Sequence, residues 1–167
     1  MRLMSLLDVI LSRRSIRRYE NKEIPKDVLD KIVEAGRQSP SAANRQPYRF
    51  VIVTDSEIKK ELKGLFSSFL KDAPVVIVGC ANPKALLTGK WATVDTTIAL
   101  ENMALAAWSL GIGSCWIGSF NEEKAKELLK IPEDWKVVAL VTFGYPAEQP
   151  KPRKKKSTKE LFSLNQF

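Results

Sequence analysis

Four arginines surround one serine in the stretch Arg13 to Tyr19, which reads RRSIRRY. A second basic stretch, Lys151 to Lys156, reads KPRKKK. Side chains of this kind, at this density, call for an anion. A nucleic-acid backbone, a membrane surface and a small phosphorylated cofactor all meet that demand. The charge balance narrows the choice. The 167-residue chain carries 27 basic and 19 acidic residues, a formal net charge of +8. The two stretches hold nine of the basic residues and no acid, which leaves 18 basic against 19 acidic elsewhere. The excess thus sits in two compact clusters at opposite ends of the sequence. A nonspecific nucleic-acid binder more usually spreads its basic residues along a face. Two compact clusters fit a localised anion equally well, although KPRKKK taken alone reads as a solvated tail.

The chain has no histidine. That removes Ser-His-Asp triads, HExxH zinc sites and histidine general bases. Cys80 and Cys115 each lie in apolar surroundings (VVIVGCA and GSCWIG) and form no CxxC pair, so they read as buried, reduced thiols. No zinc or other metal site is expected from so few soft ligands. If the chain is an enzyme, an organic cofactor must carry the hard chemistry. There is no GxGxxG and no GxxxxGK[ST].

The elements that must position these residues are legible from periodicity and capping. Hydrophobic residues make up 44% and charged residues 28%, the profile of a soluble globular protein, and the length suits one domain over 1–167. Ser5 and Asp8 stand at capping-box spacing before a short helix, Leu6 to Leu11. Pro25 opens a helix whose face is Val28, Leu29, Ile32, Val33 and Ala35, ending near Gly36. YRFVIV, Tyr48 to Val53, reads as a strand. Thr54 and Glu57 form a second capping box for a helix with Ile58, Leu62 and Leu65 inward. APVVIVGCA, Ala73 to Ala81, reads as a buried central strand.

Residues 82–92 look irregular. Thr93 or Asp95 can cap the longest helix, which runs to about Leu110 and stops at Gly111. Ten of its thirteen residues from Ile98 to Leu110 are apolar, which marks a core helix. Glu101 and Asn102 argue against a membrane span. Gly113 to Phe120 is a short strand or loop. Asn121 caps a helix closed by Pro132, and VVALVTF, Val137 to Phe143, is another buried strand. The irregular alternation argues for an α+β or mixed α/β domain. The N-terminal stretch lacks the order of charges of a secretion signal, so a cytoplasmic location is expected. After the basic linker, the segment 151–167 ends in Leu161, Phe162, Leu164 and Phe167, an apolar tail that needs a surface to dock on.

The order of these stretches is specific. RRSIRRY, SPSAANRQPYRFVIV, SLGIGSCWIGSF, VTFGYP and PKPRKKK, in that sequence, resemble the nitroreductase family of FMN-dependent oxidoreductases from about Leu7 to Leu161. The resemblance implies an α+β fold of three layers, α/β/α, with a mostly antiparallel central sheet. It also implies a homodimer with FMN at the subunit interface and a C-terminal extension exchanged between subunits.

Residue by residue, the resemblance implies a cofactor site. Arg13, Arg14, Ser15 and Arg17 match the family's R-[RH]-S-x-[RK] stretch. Arg13 and Ser15 would hold the phosphate and ribityl chain, and Arg17 would reach the pyrimidine edge of the flavin. A fixed cation there stabilises the negative charge that two-electron reduction leaves at N1 and O2. Arg18 receives no role and reads as a solvated side chain. Pro40, Ser41, Asn44 and Gln46 match a P-S-x-x-N-x-Q loop that would come from the other subunit. Ile117 and Gly118 match the backbone that faces flavin N5. Trp116 and Phe120 read as core or pocket wall, and Trp91 as a pocket or packing residue. Arg153 and Lys155 match the basic pair that joins Arg13 at the phosphate, with Lys154 and Lys156 as alternatives in register.

The activity implied is ping-pong hydride transfer from NADH or NADPH, through flavin N5, to a nitroaromatic, quinone or enone. No protein nucleophile is required. Two other readings stay open. The same fold could sense or carry FMN, or use reduced FMN in a ring-fragmenting or dehalogenating reaction. More remotely, the basic clusters could serve a nucleic-acid-binding module. No membrane partner is expected. The region before the long helix, NPKALLTGKWATVD, is short for the family, which leaves the acceptor and the choice of nucleotide open.

Overall fold

The computed structural model describes residues 4–64 and 67–167. Ten elements are labelled in chain order: α1 (Leu6–Ser12), α2 (Lys26–Arg37), β1 (Tyr48–Val53), α3 (Ser56–Leu62), β2 (Val75–Ala81), α4 (Ala92–Ser109), β3 (Gly113–Ile117), α5 (Glu122–Leu129), β4 (Lys136–Gly144) and α6 (Thr158–Leu161). The four strands form one sheet in the order β1-β2-β4-β3, with every ladder antiparallel. The α+β reading holds.

β2 is buried along its whole length, as its unbroken apolar run requires, because helices cover both faces of the sheet. On one face, Val75, Ile77, Val141 and Phe143 pack with Ile32 of α2 and with Leu100, Met103 and Ala107 of α4. On the other, Val76, Val78, Cys80 and Leu140 pack with Leu62 of α3 and Ala125 of α5. The layers are therefore α/β/α. α4 is the apolar spine of the first face, and its eight buried residues explain its lack of a polar side. Trp116 joins the first core and Phe120 the second, as packing residues.

Several boundaries differ from the sequence reading. α3 is capped by Asp55, whose carboxylate accepts the N–H groups of Glu57 and Ile58 at 2.9 Å each, so Thr54 is not the cap. An aspartate one residue on offers the stronger, charged acceptor. The Leu65 position lies outside the described residues. Neither Thr93 nor Asp95 caps α4. The helix starts one turn earlier, after a 3-10 turn over Gly89–Trp91, and Trp91 occupies the cap with no side-chain bond. Asp95 thereby becomes free for a contact described below. α5 ends with Lys130 in the left-handed region (φ 54°), two residues before Pro132. The capping box of Ser5 and Asp8, the Asn121 cap and the left-handed Gly111 after α4 (φ 77°) are present as expected. Cys80 and Cys115 are free and buried. Burial pushes the Cys80 thiol up to about 11, with a smaller push from Glu122, so it stays protonated at neutral pH.

The strand β3 seats the N-terminal basic stretch. Ser15 forms a parallel bridge with Ser114, and the Ile16 N–H donates to the Ser114 carbonyl at 2.9 Å. Ile16 is completely buried. It fits because position 113 has no side chain: a Cβ there would stand 2.6 Å from Ile16 Cγ1 and 2.9 Å from Ile16 Cβ. At Gly118, past the end of β3, an added Cβ would meet nothing within 4 Å. The two glycines should therefore respond differently. Gly113→Val should destabilise the fold by about 1–3 kcal/mol through overpacking. Gly118→Ala should change stability by less than about 0.5 kcal/mol. Urea unfolding of both variants checks this, and equal losses would contradict the seating of Ile16.

Candidate functional site

The stretch from Arg13 to Arg18 leaves α1 and crosses β3 with each basic side chain in a different setting. Arg13 Nε lies 3.4 Å from Glu101 Oε1 of α4. The other oxygen of Glu101 accepts the Trp116 indole N–H at 2.8 Å. Arg13 Nη1 is buried with no hydrogen-bond partner among the described residues. A buried cationic donor without an acceptor is costly, and an anion would satisfy it. Arg14 spends Nη1 on the carbonyls of Leu11 and Arg13, at 2.9 and 2.8 Å, and so closes the C-terminus of α1. Arg17 and Arg18 point their backbone N–H groups at one carboxylate oxygen of Glu148, at 2.5 and 3.1 Å, while the Arg17 side chain stays exposed. Arg18 is more than a solvated side chain, since its Nε also meets Glu148, at 3.3 Å.

The two basic clusters meet in space. One cleft of about 470 Å3 is lined by Arg13, Arg14, Ser15 and Arg17 on one side and by Lys151, Arg153 and Lys155 on the other. Lys154 and Lys156 are not among its lining residues. A larger cavity, about 750 Å3, lies between the 19–24 segment and the 71–75 segment. It mixes lysines with Glu20, Glu23 and Asp72 and contains none of the expected site residues, so its size does not make it the better anion site. Ile10, Leu11, Pro150 and Pro152 complete the wall of the smaller cleft, but every charged side chain on it is a cation, and with the Ser15 hydroxyl they make a donor set suited to phosphate.

Pro40, Ser41, Asn44 and Gln46 do not line this cleft. They form a tight turn between α2 and β1 in which Ala43, Asn44 and Gln46 all take positive φ, near 50°. Such a conformation costs free energy in non-glycine residues and must be held from outside. The Ser41 hydroxyl accepts the Gln46 N–H at 3.0 Å, and the Gln46 amide donates to the Asn44 carbonyl at 2.9 Å. Asp95, buried in the first turn of α4, accepts the Ala42 N–H with both oxygens at 3.2 Å. Asn44 and Gln46 themselves are exposed. Ile117 is buried at the end of β3, and Gly118 beside it faces open space. One chain thus brings the Arg13–Arg17 and Arg153–Lys155 groups together, and leaves the 40–46 loop and Gly118 outside that cleft.

Sequence reasoning missed the residues that hold the site in place. Tyr19 donates to the Ile16 carbonyl at 2.7 Å, and its oxygen lies 2.6 Å from the Thr142 hydroxyl, which reaches the Cys115 carbonyl at 3.3 Å. Burial raises the Tyr19 pKa further above its ordinary value, so it acts as a neutral hydrogen-bonding group. Asp95 reads from sequence as a possible cap of α4, and Glu101 only as a polar residue on an apolar helix. Glu148 offered a sharper signal: it is the single acid between Gly144 and Lys156.

Among the described residues no cluster of His, Cys, Asp and Glu could hold a metal ion, and no helix is long and apolar enough to cross a membrane. The nitroreductase family profile matches residues 10–76 and 62–145. A protein of Archaeoglobus fulgidus, named provisionally as an NADH dehydrogenase/NAD(P)H nitroreductase, is 40% identical over 151 residues, 86% of each chain. A solved nitroreductase family protein from Clostridium novyi is 36% identical, with a TM-score of 0.80 over 90% of this chain and 89% of that one. An FMN-dependent nitroreductase from Clostridium difficile is 30% identical, with a TM-score of 0.84 over 95% and 98%. Sheet order, the seated RRS stretch and these matches agree: the chain belongs to the nitroreductase family.

Proposed function

We propose that this chain is an FMN-dependent NAD(P)H oxidoreductase whose cofactor phosphate sits in the cleft between the two basic arms. The observation that carries the reading is the cleft itself: residues more than 130 positions apart converge on it, and Arg13, one of them, has a buried Nη1 with no hydrogen-bond partner among the described residues. The names of the Clostridium difficile and Archaeoglobus fulgidus relatives support the cofactor and the reductant. When bound, FMN would supply the two-electron hydride chemistry between NADH or NADPH and an acceptor such as a nitroaromatic, quinone or enone.

The chain's own residues bind and tune. Arg13, Ser15, Arg153 and Lys155 hold the phosphate end, and Arg14 fixes the end of α1 from which Arg13 and Ser15 follow. Arg17 offers a mobile cation to the pyrimidine edge of the ring, where it stabilises negative charge. Gly118 leaves room for the ring to approach the backbone after Ile117. No side chain of the site is asked to form a covalent bond, which suits a chain without histidine.

The 40–46 loop reaches the ring from a second copy. Its exposed amides, Asn44 and Gln46, are held outward by the Asp95 anchor. The same second copy covers the apolar surface that one chain leaves bare. α1 exposes Leu6, Leu7, Ile10 and Leu11, and the tail exposes Leu161, Phe162, Leu164 and Phe167. A mainly apolar cleft of about 270 Å3, lined by Val33, Tyr48, Phe50, Ile52, Ile77 and Met103 with Arg37 also on its wall, lies along the edge strand β1 and offers the tail a dock. Exposed apolar surface on this scale marks an interface.

The purified protein should show flavin absorbance or take it up from added FMN, and anaerobic NADH or NADPH should bleach it. Absence of any FMN uptake would end this reading. Tight FMN binding with no turnover on quinone or nitrofuran acceptors would favour the carrier or sensor reading instead. Arg13→Ala should weaken FMN retention by about tenfold or more, the value of a charge-assisted contact. Arg17→Ala should mainly lower the flavin midpoint potential. Indistinguishable effects of the two changes would contradict the division of roles. Removal of residues 158–167 should shift the protein toward monomer in analytical ultracentrifugation, and an unchanged dimer would contradict the tail's role.

A further inference from the structure

We propose that Glu148 is a positioning residue that latches the two anion-binding arms together and so gives the cleft its preference for a phosphorylated flavin. The proposal rests on the FMN reading above, and goes beyond it by assigning a role to an acidic residue within the basic site.

Three contacts carry the argument. One carboxylate oxygen accepts two successive backbone N–H groups, from Arg17 and Arg18, and the other meets Arg18 Nε. The Glu148 side chain is only 17% exposed, whereas the Arg18 side chain is 75% exposed. The bonds run between segments 130 and 131 residues apart in sequence. Glu148 follows the GYP turn by two residues and precedes Pro150, where the second basic arm begins to line the cleft. The neighbouring backbone reinforces the join: the Ala147 N–H donates to the Arg18 carbonyl at 2.9 Å, and Tyr19 bridges to Pro146. After Pro150, among the described residues, the chain has no further strand or bridge to the body of the fold before α6. Among the described residues, Glu148 is thus the last side-chain anchor before a stretch holding five cations.

A carboxylate among arginines would ordinarily compete with phosphate for them. Here the geometry limits that conflict. Glu148 is not among the residues lining the cleft, and its bonds go to backbone N–H groups and to Arg18, which does not line the cleft either. The carboxyl is held below its ordinary range, chiefly by the Arg17 N–H, so it stays ionised at neutral pH. Arg13, Arg17, Arg153 and Lys155 are left for the ligand. Without the latch, the second arm loses its fixed distance from the first, and binding must order it each time.

The test compares FMN with riboflavin, which shares the ring and lacks the phosphate. Dissociation constants are measured by flavin fluorescence for the wild type, Glu148→Gln and Glu148→Ala. The glutamine oxygen can still accept the Arg17 N–H, so Glu148→Gln should keep its FMN affinity within about threefold. Glu148→Ala should lose about tenfold or more for FMN, with riboflavin affinity little changed. The FMN-to-riboflavin preference should therefore collapse in the alanine variant and return in the glutamine variant. Equal losses for both ligands would indicate a merely structural role and overturn the proposal, as would an alanine variant with wild-type preference. Failure of the wild type to bind FMN would instead sink the underlying cofactor reading. If Glu148→Ala does not fold, Arg18→Ala with Glu148→Gln, which removes the ion pair and keeps the backbone acceptor, should still preserve the preference. Loss of preference in that double variant would overturn the latch.

Discussion

Six cationic side chains, Arg13, Arg14, Arg17, Lys151, Arg153 and Lys155, face one cleft. Two unit charges 4 Å apart repel by about 1 kcal/mol in water, and by more where water is excluded. No sequence gathers such a group without something to hold it. The fold does so with uncharged devices on one side and a carboxylate on the other. Ile16 drops into the space that Gly113 leaves on β3. Tyr19 ties the Ile16 carbonyl to Thr142 of β4. Glu148 ties the backbone of Arg17 and Arg18 to the chain that leads into the second arm. The repulsion that remains would favour the entry of the proposed anion.

These anchors depend in turn on the sheet. β3 and β4 carry Ser114, Cys115 and Thr142, which are all buried. They can present backbone and hydroxyl groups at fixed positions because apolar layers clamp both faces. α4 links the parts: Leu100 and Met103 belong to the core, Glu101 holds Arg13, and Asp95 holds the 40–46 loop. One helix therefore sets both Arg13, proposed for the phosphate end, and the loop proposed to serve the other copy's ring. A shift of α4 would move both sites together, so its packing against the sheet is part of the site's precision and not only of its stability.

The strands and helices were readable from the sequence because each depends on local pattern. VVIVGCA is apolar without a break and lies in the middle of the sheet. Leu6 to Leu11 follows a capping box that forms. The cap of α3 lies one residue from the Thr54 reading, and that of α4 two or four residues from the Thr93 and Asp95 readings, since several polar residues suit a cap and only the fold decides between them. The basic site was readable in part: charge subtraction paired Arg13–Arg18 with Lys151–Lys156, and the structure joins them. The groups that hold it were not. Tyr19, Asp95, Glu101 and Glu148 act over long sequence separations, and no local pattern announces a contact between residues 17 and 148. The roles of Asn44 and Gln46 also resist reading from one chain, because the proposed ligand contact lies across an interface.

The most direct test of the account is a crystal structure of the protein grown with FMN. The account predicts a dimer, with the phosphate in the cleft between the two arms and within hydrogen-bond distance of Arg13 Nη1. Residues 40–46 of the second copy would contact the ring. FMN bound with its phosphate in the cavity between residues 19–24 and 71–75, or anywhere away from Arg13, would contradict it.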